Sequence, residues 1–186
     1  MKAKNTVMAI LLVVFFLMRC IAANAQNFVS ANVKTSFFSS TPIEDIKASS
    51  DKTSAVLISK SGEFAFQVPI KSFEFEKKLM QEHFNENYME SDQYPVAAFK
   101  GTISPNIDWT KNAEYAVTAK GTLTVHGVSK PRTILAKILI KDGSATISSA
   151  FDVACVDHNI KIPTLVFTKI AKIISVKVSG NLNSKP

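Results

Sequence analysis

The chain has 186 residues, 46% of them hydrophobic, and a formal net charge of +7 at pH 7. This length suits one domain with a hydrophobic core. The basic residues are scattered, with no run of five or six, so the charge pattern argues against a nucleic-acid-binding groove.

The first 25 residues have the pattern of a secretory signal peptide. Lys2 and Lys4 precede an apolar run of twelve residues at positions 7–18, and Ala23 and Ala25 are the small residues that a signal peptidase recognises. Twelve residues are too few to span a hydrocarbon core of about 30 Å. We therefore expect a single mature domain, residues 26–186, in the periplasm or secreted. Its 19 basic and 15 acidic residues give a net charge of +4, which allows transient contact with anionic membrane surfaces.

The two cysteines make little covalent chemistry available. Arg19 before Cys20 occupies a position where lipoprotein leaders have a small residue, which argues against lipidation. After cleavage only Cys155 remains, so no intramolecular disulfide can form. Because Cys155 follows a segment of alternating polarity, we expect it to be a packed hydrophobe rather than a reactive thiol.

Beyond the leader, short segments rich in Val, Ile, Phe and Thr are separated by turn residues, the pattern of an antiparallel all-β domain. Glycines at 62, 127 and 143 lie where hairpin turns are expected. Residues 41–51 are the loosest segment, with a helical turn expected at 43–48. The predicted strands are residues 28–38, 54–59, 63–70, 96–104, 114–125, 133–140, 145–154 and 173–180.

Strict alternation in these segments favours a closed sheet. Phe64, Phe66 and Val68 share one face of their segment, while Glu63 and Gln67 share the other. A closed sheet removes exposed edges, and eight strands enclose room for side chains or one slim ligand. We therefore predict an eight-stranded up-and-down barrel, with a two-sheet sandwich as the alternative.

The one exception to the β pattern lies within residues 71–101. Phe75, Leu79, Met80, Phe84 and Tyr88 recur at spacings near four, which predicts a helix with one apolar stripe packed against its neighbour. The Tyr94-Pro95 step ends the helical pattern before the next strand. The sequence thus predicts a short helical lid between two strands.

The helical segment, together with the sequence GTLTVHGVSK at positions 121–130, resembles the YceI-like proteins, a bacterial lipocalin-like family of polyisoprenoid binders. The resemblance extends from about residue 28 to residue 182. It departs from the family at the helix, where many members carry Arg-Asp-His-Leu and this chain has MQEHF at positions 80–84. This departure suggests a divergent branch with a different lipid.

The resemblance implies an all-β, lipocalin-like barrel that holds an isoprenoid lipid, either a polyprenol derivative or an isoprenoid quinone. Such a tail needs shape and apolar area rather than hydrogen-bonding groups. His83, Asn87 and Tyr88 would meet the head group. The expected tunnel lining is Phe64, Phe66, Val68, Phe99, Leu123, Val125 and Phe151, and the expected lid is Leu79, Met80, Phe84, Tyr88 and Met89.

Two other classes of function stay open at this stage. An extracytoplasmic metal-dependent enzyme would use His83, His126, His158 or Asp92, and Asp157 beside His158 offers half of a catalytic pair. However, no recognised catalytic, cofactor-binding or metal-binding motif is present, so we expect no enzyme and no cofactor. The other class is a stress or interaction scaffold with a packed interior. The sequence leaves dimerisation open.

Overall fold

The computed structural model of the protein describes residues 27–163 and 169–185. The predicted signal peptide lies outside the described residues. Nine strands are described: β1 (Asn27–Ser40), β2 (Asp45–Ile58), β3 (Glu63–Pro69), β4 (Glu74–Phe75), β5 (Val96–Ser104), β6 (Ala113–Val125), β7 (Val128–Lys141), β8 (Ser144–Ala154) and β9 (Ile173–Lys185). The described helix, α1 (Lys78–His83), continues into a π-helical turn at Phe84–Tyr88.

Eight of these strands form a closed antiparallel barrel, as the sequence predicts. Neighbours along the chain pair in the order β1, β2, β3, β5, β6, β7, β8 and β9, and β9 returns to pair with β1. The two-residue strand β4 adds to β2 outside this ring. Because β1 pairs on both edges, the sandwich alternative is wrong.

The prediction for residues 41–51 is only partly correct: the chain turns at residues 41–44, but the helical turn expected at 43–48 is not formed. The turn is short, with the Thr41 hydroxyl accepting a hydrogen bond from the backbone N–H of Glu44 at 3.0 Å. Strand β2 then begins at Asp45, and Ala48 and Ser50 are buried within it. The local Ser and Asp content favours a turn, but pairing with β1 satisfies the backbone groups of this segment and overrides that preference.

Strand β1 changes face partway along its length. Phe28 is buried, but further along the strand the buried positions are Val33 and Thr35, which have the opposite parity. The register with β2 shifts on both sides of Val33. Gly180 of β9 lies at this bend, where an added Cβ would come within 3.0 Å of the Val33 Cα. The bulge therefore turns the strand while keeping apolar groups inside.

One end of the barrel is filled. Phe28 packs against Trp109 with ring centroids 5.1 Å apart, and Trp109 lies in the connection between β5 and β6. Leu57, Ile140 and Leu182 are buried in the same cluster. We call this the closed end; it is where the β2–β3 and β7–β8 turns lie. The connections at the other, open end are β1–β2, β3–β5, β6–β7 and β8–β9.

The lid lies across the open end and is fixed by a second cluster of aromatic rings. The Phe84 ring lies 5.4 Å from Phe37, 5.7 Å from Phe73 and 5.1 Å from Phe75, measured between centroids. Two details differ from the predicted single helix. Phe75 belongs to strand β4, and Leu79 in the first turn of α1 is 61% exposed rather than packed.

Candidate functional site

A cavity of about 520 Å³ occupies the open half of the barrel beneath the lid. This volume falls within the range of roughly 300–1,000 Å³ that is usual for small-molecule sites. The barrel wall and the lid contribute lining residues, and the exposed side chains of Lys77, Leu79 and Lys169 stand at the rim. The barrel thus provides an apolar space that opens at one end.

The few hydroxyls on the cavity wall have partners within the protein. Thr35 and Thr53 bond to each other through their Oγ1 atoms at 2.7 Å. Ser39 Oγ accepts a hydrogen bond from the backbone N–H of Ala171 at 2.9 Å. Because these hydroxyls already have partners within the protein, an apolar ligand against the wall would leave none of them without a hydrogen bond. The wall favours hydrocarbon over a polar substrate.

Eleven of the twelve residues predicted to contact the ligand line this cavity; their contact with a lipid stays a prediction. They comprise wall residues from four strands and the five lid residues. The eleven are Phe66, Val68, Leu79, Met80, Phe84, Tyr88, Met89, Phe99, Leu123, Val125 and Phe151.

Phe64 is the exception and does not line the cavity. It points inward as predicted, but it lies nearer the closed end, where it packs 4.9 Å from Phe99 and 5.9 Å from Phe66, centroid to centroid. It belongs to the buried cluster that includes Phe28 and Trp109. Alternation gives the face of a residue but not its height along the barrel, which explains the error.

Of the three residues predicted to meet the head group, two line the cavity and one does not. His83 and Tyr88 line the cavity, whereas Asn87 is exposed and does not. Burial raises the pKa of the Tyr88 hydroxyl, which keeps it protonated and able to donate a hydrogen bond. Lys169 joins them at the rim and was missed by the sequence reasoning. It lies in the β8–β9 connection, where the sequence carries no pattern that would assign it to the rim.

Several wall residues were also missed, although a signal existed for those of β9. Phe37 and Phe73 line the cavity, and so do Ile174, Val176 and Val178 of β9. The β9 residues alternate with polar ones, which is the pattern used to assign the other strands. Phe37 was hidden by the bulge in β1.

His126 and His158 are held by contacts to a lid carboxylate and to backbone carbonyls. His126 Nε2 lies 2.7 Å from the Glu90 carboxylate, and its Nδ1 lies 3.1 Å from the carbonyl oxygen of His158. His158 is buried, and its Nδ1 lies 3.0 Å from the Val128 carbonyl, so the pair with Asp157 considered for the enzyme alternative is not formed. Asp157 instead faces Arg132 at 4.0 Å. Among the described residues, no group of three or more His, Cys, Asp or Glu could hold a metal ion.

His126 thus contacts the end of the lid. Its ring stands 4.5 Å from that of Tyr94, and an added Cβ on Gly127 would come within 2.5 Å of Tyr94. The β6–β7 hairpin and the end of the lid are therefore closely packed. The lid is thus attached on one side by the phenylalanine cluster and on the other by Glu90.

The YceI-like domain model matches residues 22–183. The chain belongs to the YceI-like domain family. No curated protein has significant sequence similarity to the chain.

Solved structures of this family share the fold at low identity. A polyisoprenoid-binding domain from Saccharophagus degradans superposes with a TM-score of 0.74 at 14% identity, covering 87% of this chain and 100% of that domain. BcnA from Burkholderia cenocepacia gives a TM-score of 0.68 at 18% identity, with coverages of 80% and 95%. A Campylobacter jejuni YceI protein gives 0.59 at 18% identity, with coverages of 75% and 85%. At these identities the likeness establishes the YceI-like barrel fold.

Proposed function

We propose that this YceI-like protein binds and carries an isoprenoid lipid, a polyprenol derivative or an isoprenoid quinone, outside the cytoplasm. The observation that carries the proposal is the apolar cavity of about 520 Å³ beneath the lid. The Saccharophagus degradans neighbour is described as a polyisoprenoid-binding domain, which supports the choice of ligand class. The predicted leader supports the location.

The energetics suit a hydrocarbon tail. Burial of each methylene contributes about 0.8 kcal/mol, so ten buried carbons contribute roughly 8 kcal/mol before the costs of association. The aromatic wall at Phe66, Phe99 and Phe151 offers this contact without polar competition. At the rim, the protonated Tyr88 hydroxyl can donate to an oxygen of the head group. The buried apolar area would thus supply the affinity for the tail. Hydrogen bonding at the rim would orient the head group.

We infer a binding role rather than an enzymatic one. His126 and His158 are engaged with Glu90 and with backbone carbonyls, and neither is among the residues that line the cavity. Among the described residues, no helix is both long and apolar enough to cross a bilayer.

A charge placed in the cavity tests the proposal. Phe66→Asp would put a carboxylate against the apolar tail, and we expect the uptake of an isoprenoid quinone to fall at least tenfold because the charge must be desolvated. Uptake is measured by mass spectrometry after incubation with detergent-dispersed quinone.

Ala65→Asp is the matched control. Ala65 is the neighbouring residue on the outer face of β3, opposite Lys100 of β5, so the same charge is added outside the barrel. We expect it to leave uptake unchanged. A folded Phe66→Asp protein that takes up as much quinone as the control would contradict the proposed lining.

A further inference from the structure

Exposed apolar side chains are concentrated at the open end of the barrel. Among the described residues, eight large hydrophobic side chains are exposed. Three lie on the barrel wall: Val56, Leu135 and Leu139. The other five lie in or beside the open-end connections: Ile43, Leu79, Val96, Val156 and Ile173. An uneven distribution of this kind marks an interaction surface more often than isolated exposed residues do.

Four of these five form a continuous arc, which we call the rim arc: Val156, Ile173, Ile43 and Leu79. Ile173 pairs with Ala154, two residues before Val156. On the other side of β9, the backbone N–H of Ala171 bonds Ser39 at 2.9 Å, next to the turn that carries Ile43.

An ion pair connects the β1–β2 turn to the lid and completes the arc. Glu44, which follows Ile43, meets Lys77 at 3.5 Å, next to the helix that carries Leu79. The arc therefore follows the edge of the cavity mouth from β8 to the lid.

Basic residues accompany this arc. Lys161, Lys169 and Lys172 lie in the β8–β9 connection, and no acidic residue follows Asp157 in the chain. Lys77 and Lys78 continue the series at the lid. Of the acids nearby, Glu44 is paired with Lys77, Asp45 accepts a hydrogen bond from Ser40 at 2.7 Å, and Asp157 faces Arg132.

Two acids that follow the lid helix form ion pairs on the opposite side of the mouth. Glu90 contacts His126 of the β6–β7 hairpin, which faces the β1–β2 hairpin across the barrel. Asp92 pairs with Lys71 at 2.5 Å in the same region. The exposed acids Glu74, Glu76, Glu82 and Glu86 all lie in β4 and the lid segment, so the β8–β9 side of the rim arc is its most basic part. This asymmetry defines one orientation toward a charged partner.

We propose that the rim arc docks on the surface of an anionic lipid bilayer. Apolar side chains interspersed with lysines match both the acyl boundary and the negative headgroups. A bilayer is favoured over a protein partner because the arc edges the cavity mouth, so docking would place that mouth against hydrocarbon. The purpose of such docking rests on the proposed function, in which the ligand comes from or goes to a membrane.

Vesicle flotation tests the proposal. The purified protein is mixed with phosphatidylcholine vesicles, either pure or containing about one-third phosphatidylglycerol, whose negative surface attracts lysines. We expect binding to the anionic vesicles only, weakening as salt is added. The double variant Val156→Glu with Ile173→Glu should bind at least tenfold more weakly. Lys78→Gln with Lys161→Gln should lose roughly fivefold per lysine.

Leu135→Glu is the matched control, because Leu135 is 74% exposed on the wall of the barrel and Val156 is 79% exposed in the arc. We expect this control to bind like the unmodified protein, and circular dichroism confirms that each variant is folded. Failure of the unmodified protein to bind anionic vesicles, or equal loss in the control and the arc variant, would overturn the proposal.

Quinone uptake from detergent dispersion, measured on the same proteins, separates this proposal from the proposed function. Uptake without vesicle binding would refute docking and leave the carrier function standing. Vesicle binding without uptake would support docking and refute the carrier function.

Discussion

Phe84→Ala should open the lid without unfolding the barrel. The Phe84 ring lies 5.1–5.7 Å from three other phenylalanine rings, centroid to centroid. Each such pair contributes about 0.5–1.5 kcal/mol beyond area burial, so losing three costs roughly 1.5–4.5 kcal/mol. If this free energy holds the lid closed, the open population rises between about tenfold and about a thousandfold. Amide hydrogen exchange at residues 78–89 should accelerate by the same factor.

The comparison variant is Phe64→Ala, which removes ring contacts to Phe66 and Phe99 at the closed end. Because Phe64 belongs to the main core, its loss should lower the midpoint of thermal unfolding and accelerate exchange throughout the barrel. Lid exchange in Phe84→Ala that matches the unmodified protein would refute the reasoning. So would an acceleration spread equally over lid and barrel strands.

Two further substitutions and one alkylation measurement test separate parts of the structure. Glu90→Ala removes the carboxylate 2.7 Å from His126 and should speed lid exchange severalfold, for a loss of about 0.5–1.5 kcal/mol; unchanged exchange would exclude this tether. Gly101→Ala would place a Cβ 2.2 Å from the Lys120 carbonyl oxygen, so unfolding in urea should show a loss of about 1–3 kcal/mol, and an unaltered midpoint would contradict the close strand approach. Burial raises the pKa of the Cys155 thiol, so its alkylation should be slow at neutral pH and accelerate as pH rises or the chain unfolds; a native rate equal to the unfolded rate would contradict this.

The sequence predicts the barrel well because most strands alternate strictly. In β3 and β6 one face is apolar along the whole strand, so both the strand and its inward residues follow from the pattern. Strand β5 begins at Val96, directly after the proline that was predicted to end the helical pattern. In β1 the bulge around Val33 reverses the parity, so Phe37 could not be assigned to the cavity from alternation.

The errors have a common physical origin in long-range contacts. Residues 43–48 resemble a turn locally, but pairing with β1 makes residues 45–48 strand. Phe64 faces inward as predicted. Its height along the barrel depends on packing with residues distant in the chain, such as Trp109, which alternation within one strand does not reveal. Glu90 and His126 lie in separate connections at the open end, so their contact was not predictable from spacing.

The most direct test of the carrier function is native mass spectrometry of the protein expressed with its own leader in a Gram-negative host and purified without detergent. Denaturing mass spectrometry then identifies any bound molecule. The account predicts a near-stoichiometric isoprenoid lipid whose tail occupies the cavity of about 520 Å³. An empty protein that also takes up no added polyprenol or quinone would contradict it.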